Sequence, residues 1–543
     1  MERVKQTRGI HDLIRRYGLY VLLVVILGIG AWFRFFHIFR STWMLEGYDE
    51  SRDMLVARHI VEYGDWLWRG PLASGSMNAL MNSPVYYYVL SVLWFIGRSP
   101  FSVMLLWAAL LMSVVYMAYR TGVEAGDKQL GIIMALLFAL QPTLISNSRH
   151  ISQPYLLPLF SILFLWLFWR RGTMTLWRFC LLIVVLLFPM HIHYGSLLML
   201  PAGLLWLGVV WAEHAFRKQG GLTWKIIPPL VVEYVLMTWV WFTYGKTPFD
   251  QQFYLADEMH RTLPTVLLKM RDAWIVTADN IWWSKDPVVV IGMLMFFAGC
   301  AVWYEKQRTH QKHSGSRSYW WMICFAVIPP LVAGFHGDSV HTYYMLGTLP
   351  VLLFIIAAGL HALLSWNRYV GIVCIGIVLW IFIEQASTVI TEVPRRPYVQ
   401  QLREVSNMLY DDYRFREPAA AGTPSPSIAL AVLAGKNLPY DGWGTGALWY
   451  FLEEYFKQRL VRLDNYGTNF FPVVQHPSYF YVLCDYRGFG SDDRCTRDFR
   501  AARTYLLDKK EEKIYAAGPF VLWLFYVNPS LPVSNYNIAY PGL

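Results

Sequence analysis

Charge is scarce in this chain of 543 residues: Asp, Glu, Lys and Arg make up 15% of it, against roughly 25% in an ordinary soluble protein. With 56% hydrophobic residues and a mean hydropathy of +0.33, that shortage excludes low-complexity disorder and a charged coiled coil. Cysteine is also sparse, at six residues, which excludes a disulfide scaffold. The sequence has no P-loop, no G-x-S-x-G elbow, no C-x-x-C pair and no H-E-x-x-H helix. His191-Ile192-His193 is a poor zinc motif, because helical ligands prefer i, i+4 spacing. The glycines of Gly442-Trp443-Gly444-Thr445-Gly446 lack phosphate-loop spacing and read as a helix entry.

Long apolar runs are abundant. About 18 or more apolar residues in a row suffice to cross a bilayer, and eleven segments qualify. The first runs from about Tyr17 to Phe39, behind a basic start; too long for a signal-peptide core, it reads as an uncleaved signal anchor. The others begin near Phe101, Leu130, Tyr155, Leu176, Tyr194, Lys225, Pro287, Tyr319, Tyr343 and Val370. The fold class is therefore mostly α, a polytopic membrane bundle of about eleven spans. Pro84 to Gly97 is too short to span and reads as an interfacial or re-entrant helix. The formal charge of +10 would suggest nucleic acid in a soluble protein, but these cations lie between spans and set topology. Segments 1–17, 119–129, 170–178, 212–225, 305–318 and 365–369 hold 18 Lys and Arg in 70 residues; the loops of the other side hold 11 in 123. The basic side marks the cytoplasm, so the N-terminus is cytoplasmic and the loops at 40–100 and 244–286 face outward across a plasma (inner) membrane.

The tail changes character. Residues 1–388 form the bundle, including the outer loop at 40–100. Residues 389–543 read as a small extracytoplasmic α/β domain: a helix at Tyr398–Tyr413, a linker at Glu417–Pro426, a strand at Ile428–Leu433, a helix at Ala447–Arg459, a strand at Tyr479–Cys484, a charged helix at Arg497–Lys510 and a strand at Phe520–Val527. Four cysteines (Cys180, Cys300, Cys324, Cys374) lie in apolar segments and simply pack. Cys484 and Cys495 face an oxidising compartment and are the pair expected to form a disulfide.

Chemistry points to the first outer loop, Glu46-Gly47-Tyr48-Asp49-Glu50-Ser51-Arg52-Asp53. Residues 50–63 have helical periodicity, with Leu55, Val56, His59, Ile60 and Tyr63 on one side and Arg52, Asp53, Arg58 and Glu62 away from it. Two roles stay open for Asp49: capping that helix, or acting as a fixed, ionised base. A second set lies at outer span ends beside tyrosines: Arg149 and His150, His191 and His193, His336 and His341. One such His is ordinarily a hydrogen-bonded interfacial residue; several around an acidic loop could bind a phosphate.

The Asp49-Glu50 pair after the first span, Gly64-Asp65-Trp66 after the loop helix, the Pro84 to Tyr88 stretch and His341-Thr342-Tyr343-Tyr344-Met345-Leu346 together resemble the GT-C glycosyltransferases, in particular the protein mannosyltransferases and lipid A aminoarabinose transferases. The chain departs from that pattern at Asn82-Ser83-Pro84, where a Lys or His and two prolines are common, and at Gln153-Pro154-Tyr155, where an Arg-Pro-Asp is frequent. Without that second acid, a two-carboxylate divalent-metal site lacks a ligand, and no cofactor is certain. The resemblance implies a transferase that takes a sugar from a polyprenyl-phosphate donor and gives it to a protein, lipid or glycan acceptor, inverting the anomeric centre. Asp49 is then the base and Glu50 its neighbour. Tyr48, Arg52, Arg149, His150, His191, His193, His336, His341 and Tyr344 are the expected substrate contacts. The rival class is a transporter or flippase that does no chemistry.

The odd span count is testable. A reporter fused after Gly315 should be cytoplasmic and one after Ala421 extracytoplasmic; reports from the same side would refute the eleven-span topology.

Overall fold

The computed structural model describes residues 2–40, 48–67, 70, 83–170, 175–216, 231, 263–282, 287–308, 319–334, 342–391, 398–416, 430–434, 452, 461–463, 470–472, 479–485, 507–517 and 520–527. They fall into two compact units. One comprises Met1–Arg40, Trp68–Tyr86 and Ser102–Val393; the other comprises Ser41–Leu67, Tyr87–Phe101 and Pro394–Leu543.

The first unit is helical: α1 (Glu2–Arg40), α4 (Pro100–Ala125), α5 (Lys128–Leu140), α6 (Pro142–Asn147), α7 (Leu157–Trp169), α8 (Leu176–Leu187), α9 (Leu200–Phe216), α10 (Leu263–Trp282), α11 (Pro287–Arg308), α12 (Tyr319–Ala333), α13 (Leu349–Trp366) and α14 (Arg368–Thr391), with α2 (Tyr48–Tyr63) and α3 (Val85–Gly97) coming earlier in the chain. Helix α13 is central, buried from Leu349 to Leu363 and packed against α5, α7, α11, α12 and α14. Gly359 permits that approach: a Cβ there would lie 2.7 Å from the backbone of Phe297 on α11. Peripheral helices instead leave large apolar side chains exposed, such as Val24, Val288 and Trp380, as a lipid-facing surface requires.

Among the described residues, five helices are long and apolar enough to cross a membrane: Tyr17–Phe36, Pro100–Ala125, Val288–Lys306, Leu349–Trp366 and Arg368–Val389. Five more of the eleven expected spans are shorter apolar helices, and the one beginning near Lys225 lies almost wholly outside the described residues. The short ones are interrupted. The run 128–147 is long enough to cross (about 30 Å at 1.5 Å per residue), but it breaks at Gln141–Pro142 into α5 and α6. The segments before α7 and between α8 and α9 wind into 3-10 turns at Gln153–Leu156, Phe188–His191 and Tyr194–Leu198.

Contacts distinguish the two ends of this bundle. At one end, Lys128 lies over the Tyr20 ring at 5.1 Å, His361 Nε2 is 3.2 Å from Asp127 Oδ1, and Tyr304 meets the His361 ring edge-on. This is the end flanked by the basic loops, and exposed Trp177, Trp303, Trp320, Trp366 and Tyr369 sit at its helix termini, as aromatic belts do at a membrane interface. The helix breaks lie at the opposite end. There Arg34, 1% exposed, donates to the carbonyls of Phe138 and Ala139, each at 3.0 Å. The partner Phe138 would otherwise use is the N–H of residue 142, which is proline and has none.

The second unit holds α2, α3, α15 (Tyr398–Arg416) and strands β1 (Leu430–Ala434), β2 (Val461–Leu463), β3 (Phe470–Pro472), β4 (Tyr479–Asp485), β5 (Leu507–Ala517) and β6 (Phe520–Val527). The main sheet has the order β1-β4-β6-β5, parallel at β1–β4 and antiparallel elsewhere; β2 and β3 pair separately. Helix α15 packs against β5 and β6; its Val405, Leu409 and Tyr413 are buried, as are Tyr481, Leu522 and Leu524 of the sheet. The Tyr481 hydroxyl donates to Asp412 at 2.8 Å. The expected charged helix through Lys510 is corrected at its end. Residues 507–510 open β5, an edge strand, where a run of Lys and Glu keeps foreign strands from pairing. Residues 497–506, the linker at 417–426, Cys495 and all but Leu452 of the expected helix at 447–459 lie outside the described residues, as does the Cys484 side chain. Cys180, Cys300, Cys324 and Cys374 are free thiols.

Arg34→Leu leaves the Phe138 and Ala139 carbonyls buried without a donor, at about 1–3 kcal/mol for each unsatisfied group. A clear fall in the thermal midpoint of the detergent-solubilised protein is expected, with Arg34→Lys intermediate because an ammonium cannot span both carbonyls as a guanidinium does.

Candidate functional site

The acid pair sits at the start of α2. Helix α2 is described from Tyr48, so Asp49 and Glu50 lie in its first described turn, near an amino-terminal dipole that favours carboxylates. The side chains of Tyr48 and Asp49 lie outside the described residues; Glu50 is half-buried. The expected solvated polar face is corrected. Every residue from Arg52 to Ile60 is buried, with Arg52 at 9%, Asp53 at 1% and Arg58 at 9% exposure. These charges survive burial because they are paired. Asp53 Oδ1 accepts from Arg52 Nε and Nη2 at 2.9 and 2.7 Å and from the Tyr87 hydroxyl at 2.7 Å. Arg58 Nε donates to Glu62 at 2.8 Å, and Glu62 also accepts from Trp94 Nε1 at 3.2 Å. Gly64, at φ +70°, turns the chain back on itself. Asp65 then donates its N–H to the His59 carbonyl and the Tyr88 hydroxyl reaches the Leu67 carbonyl at 2.5 Å.

Of the histidine and arginine candidates, Arg149, His150, His191 and His193 belong to the bundle, at the end with the helix breaks. Arg149 is 5% exposed and donates to the carbonyls of Val389 at 3.0 Å and Phe33 at 2.9 Å. Two of its N–H groups therefore staple α14 to α1. Burial pushes its pKa down to about 10, which still leaves it charged at neutral pH. His150 is half-buried and His191 buried. His193 Nδ1 accepts the Gly195 N–H at 2.9 Å, and the rings of Tyr343 and Tyr344 pack on it, with centroids at 5.4 and 5.9 Å. Burial lowers its pKa to about 4. The imidazole is neutral at pH 7, so it can serve a phosphate as a hydrogen-bond donor through Nε2 but not as a cation. Gly195 is needed for this packing: a Cβ there would lie 2.9 Å from His193 Nδ1 and 3.2 Å from the Tyr344 Cα.

The structure thus brings His193 and Tyr344 together with Tyr343, a residue outside the expected set. A polar network fixes the Tyr343–Tyr344 turn from behind: Asn280 Nδ2 donates to the Thr342 carbonyl, while the Asn280 carbonyl accepts from Gln141 and Thr143. His336 and His341 lie outside the described residues. Arg34 and Asp53 were missed as well as Tyr343 and Asn280. Arg34 carried a signal, since an Arg inside an apolar span is rarely idle. Asp53 carried none, because it looks like any surface acid until Tyr87 is placed beside it. Among the described residues, no three His, Cys, Asp or Glu side chains converge as a metal site would need.

No protein-family model matches the chain, and no curated protein matches it in sequence. Solved structures do match in shape. ArnT from Cupriavidus metallidurans in the apo state aligns at TM-score 0.53 and 11% identity, covering 94% of this chain and 98% of that one. The same protein bound to undecaprenyl phosphate aligns at TM-score 0.52, with the same identity and coverage. The Archaeoglobus fulgidus oligosaccharyltransferase, in complex with Zn and sulfate, gives 0.49 at 13% identity over 93% of this chain and 72% of that one. The end-to-end match to ArnT shows that the chain shares that protein's fold, and five of its described helices are long and apolar enough to cross a membrane.

The depressed His193 pKa has a direction in stability. The folded value lies below the roughly 6.5 of an unfolded imidazole, so the unfolded chain binds more protons between the two values, and stability falls as pH drops through that window. From about pH 7 to about pH 5 the loss is about 2 kcal/mol at most. His193→Asn keeps an acceptor for the Gly195 N–H and cannot titrate. Its thermal midpoint should hold where the wild-type midpoint falls; parallel curves would refute the assignment.

Proposed function

We propose that this chain transfers a sugar from a polyprenyl phosphate to an acceptor hydroxyl or amine at the outer face of the membrane. The observation that carries this reading is the whole-length likeness of fold to a protein crystallised with undecaprenyl phosphate, joined to an acid pair in the first turn of the first helix after α1. The acceptor heteroatom attacks the anomeric carbon, its bond to that carbon forming as the bond to the phosphate oxygen breaks. Asp49 takes the acceptor's proton, and the electron pair of the broken bond leaves with the polyprenyl phosphate. One displacement inverts the anomeric centre.

The leaving group is anionic, so its departure is eased by donors already in place. Arg149, His150, His191, His336 and His341 are proposed for that role, with His193 as a neutral donor and Tyr48, Arg52, Glu50 and Tyr344 as further substrate contacts. For Arg149 only the N–H groups not committed to Val389 and Phe33 are available. The eleven-span bundle and the extracytoplasmic tail complete the proposal, the tail shaping acceptor access. A flippase would place its ionisable groups near the membrane midplane; here the candidates lie in a loop helix and at one bundle end.

The donor assay uses the polyprenyl-phosphate-sugar fraction extracted from cells lacking the gene, with release of polyprenyl phosphate as the readout, a product that a flippase cannot make. Asp49→Asn preserves volume and hydrogen-bond acceptance and should fold, while turnover falls about 10²-fold or more, the scale of a lost general base. Glu50→Gln should lose less. A fully active Asp49→Asn protein would refute the base assignment.

A further inference from the structure

Two polar links join α2 to α3, and they lie far apart. Near the start of α2, Asp53 receives the Tyr87 hydroxyl at 2.7 Å; near its end, Glu62 receives Trp94 Nε1 at 3.2 Å. Residue numbers rise together across the two links, so the helices run parallel, and nine residues of helix separate the links by about 13 Å. The links differ in setting. Asp53 and Tyr87 are fully buried, at 1% and 0% exposure, and three donors converge on a single carboxylate oxygen. The Glu62 side chain is 30% exposed.

We propose that Asp53 and Tyr87 are positioning residues for the acidic first turn of α2, an inference that rests on the reading of Asp49 as the base. Asp53 lies one helical turn after Asp49, on the same face of the helix. The first turn of a helix lacks intrahelical partners for its N–H groups and frays first, so its position is set by whatever holds the next turn. The charge-assisted bonds at Asp53 are the strong kind, more so out of water. Arg52 is drawn into the same clasp: Nε and one terminal nitrogen hold Asp53 and orient that carboxylate. A misplacement of about 1 Å at a reacting group costs on the order of 10²-fold in rate, so a clasp one turn from the base has direct leverage on turnover.

The test compares Tyr87→Phe with Trp94→Phe in the full-length protein. Each removes one α2–α3 link and leaves a ring in place, and Trp94→Phe removes the greater volume. A merely structural role predicts that the two act alike, or that Trp94→Phe acts more strongly. The clasp predicts that Tyr87→Phe lowers kcat about tenfold with KM for the extracted donor fraction within about twofold, while Trp94→Phe leaves kcat within about twofold. Hydrogen exchange, which needs no substrate, should speed at least about tenfold at the amides of residues 48–53 in Tyr87→Phe and not in Trp94→Phe. Equal effects of the two variants on kcat, or unchanged exchange in Tyr87→Phe, would overturn the clasp and leave the base assignment standing. An active Asp49→Asn protein would remove the base assignment alone, and exchange would still decide whether Tyr87 anchors the turn.

Discussion

A helix that stops inside an apolar surrounding leaves its last carbonyls without donors, and the bundle answers this with buried arginines. Arg34 serves Phe138 and Ala139 at the end of α5. Arg178, 6% exposed, serves Leu167 and Phe168 at the end of α7. Arg149 serves Val389 near the end of α14. A cation suits the negative end of a helix dipole, and a guanidinium can reach two carbonyls at once. Arg34 and Arg149 make the irregular end of the bundle tolerable. Without broken helices at that end there would be no turn at residues 188–198, no His193 packed against Tyr343 and Tyr344, and no polar network around Asn280.

The loop helix α2 obeys a related rule with different chemistry. It buries Arg52, Asp53, Arg58 and His59, which an isolated amphipathic helix on a membrane would leave in water. These partners are close in sequence or on α3: Asp53 with Arg52 and Tyr87, Glu62 with Arg58 and Trp94, His59 with Asp65 at 3.5 Å. Burial raises the cost of any unpaired group, so pairing fixes the helix in one rotation about its axis. A helix held in that way presents its first turn at a defined angle, as the base proposed there would require.

Much of the fold was legible because it is written in local, loud signals. Apolar runs marked most helices of the bundle and periodicity marked α2, whereas α10 lies inside the expected outer loop at 244–286 and was not foreseen. The eight apolar residues Phe520–Val527 were recognisable as β6, and the tail helix was expected within three residues of where α15 ends. The failures share a cause: pairing over long separations. The bonds of Arg149 to Phe33 and Val389, 116 and 240 positions away, were not foreseen because nothing in its neighbourhood announces them. The polar residues of α2 looked solvated because periodicity sees only the helix itself, whereas Tyr87 lies 34 residues on. Residues 507–510 looked helical because charge alone does not separate a solvated helix face from an edge strand. The site followed the same pattern. Short motifs named Asp49 and Tyr344, while the residues that hold such groups in place, Asp53 and Asn280, lie in unremarkable sequence.

The arginine caps also impose an order in time. Arg34 leaves the ribosome with α1, but the carbonyls it serves are about a hundred residues behind it. At roughly 5–20 residues per second, it waits several seconds or more beside a membrane that offers it no partner. Arg149 waits longer, since Val389 arrives 240 residues later. The early helices therefore carry guanidinium donors whose long-range carbonyl acceptors arrive only with later helices, α5 for Arg34 and α14 for Arg149. Biogenesis of this chain is in that sense closed from its carboxyl side, with α14 supplying the last of those acceptors.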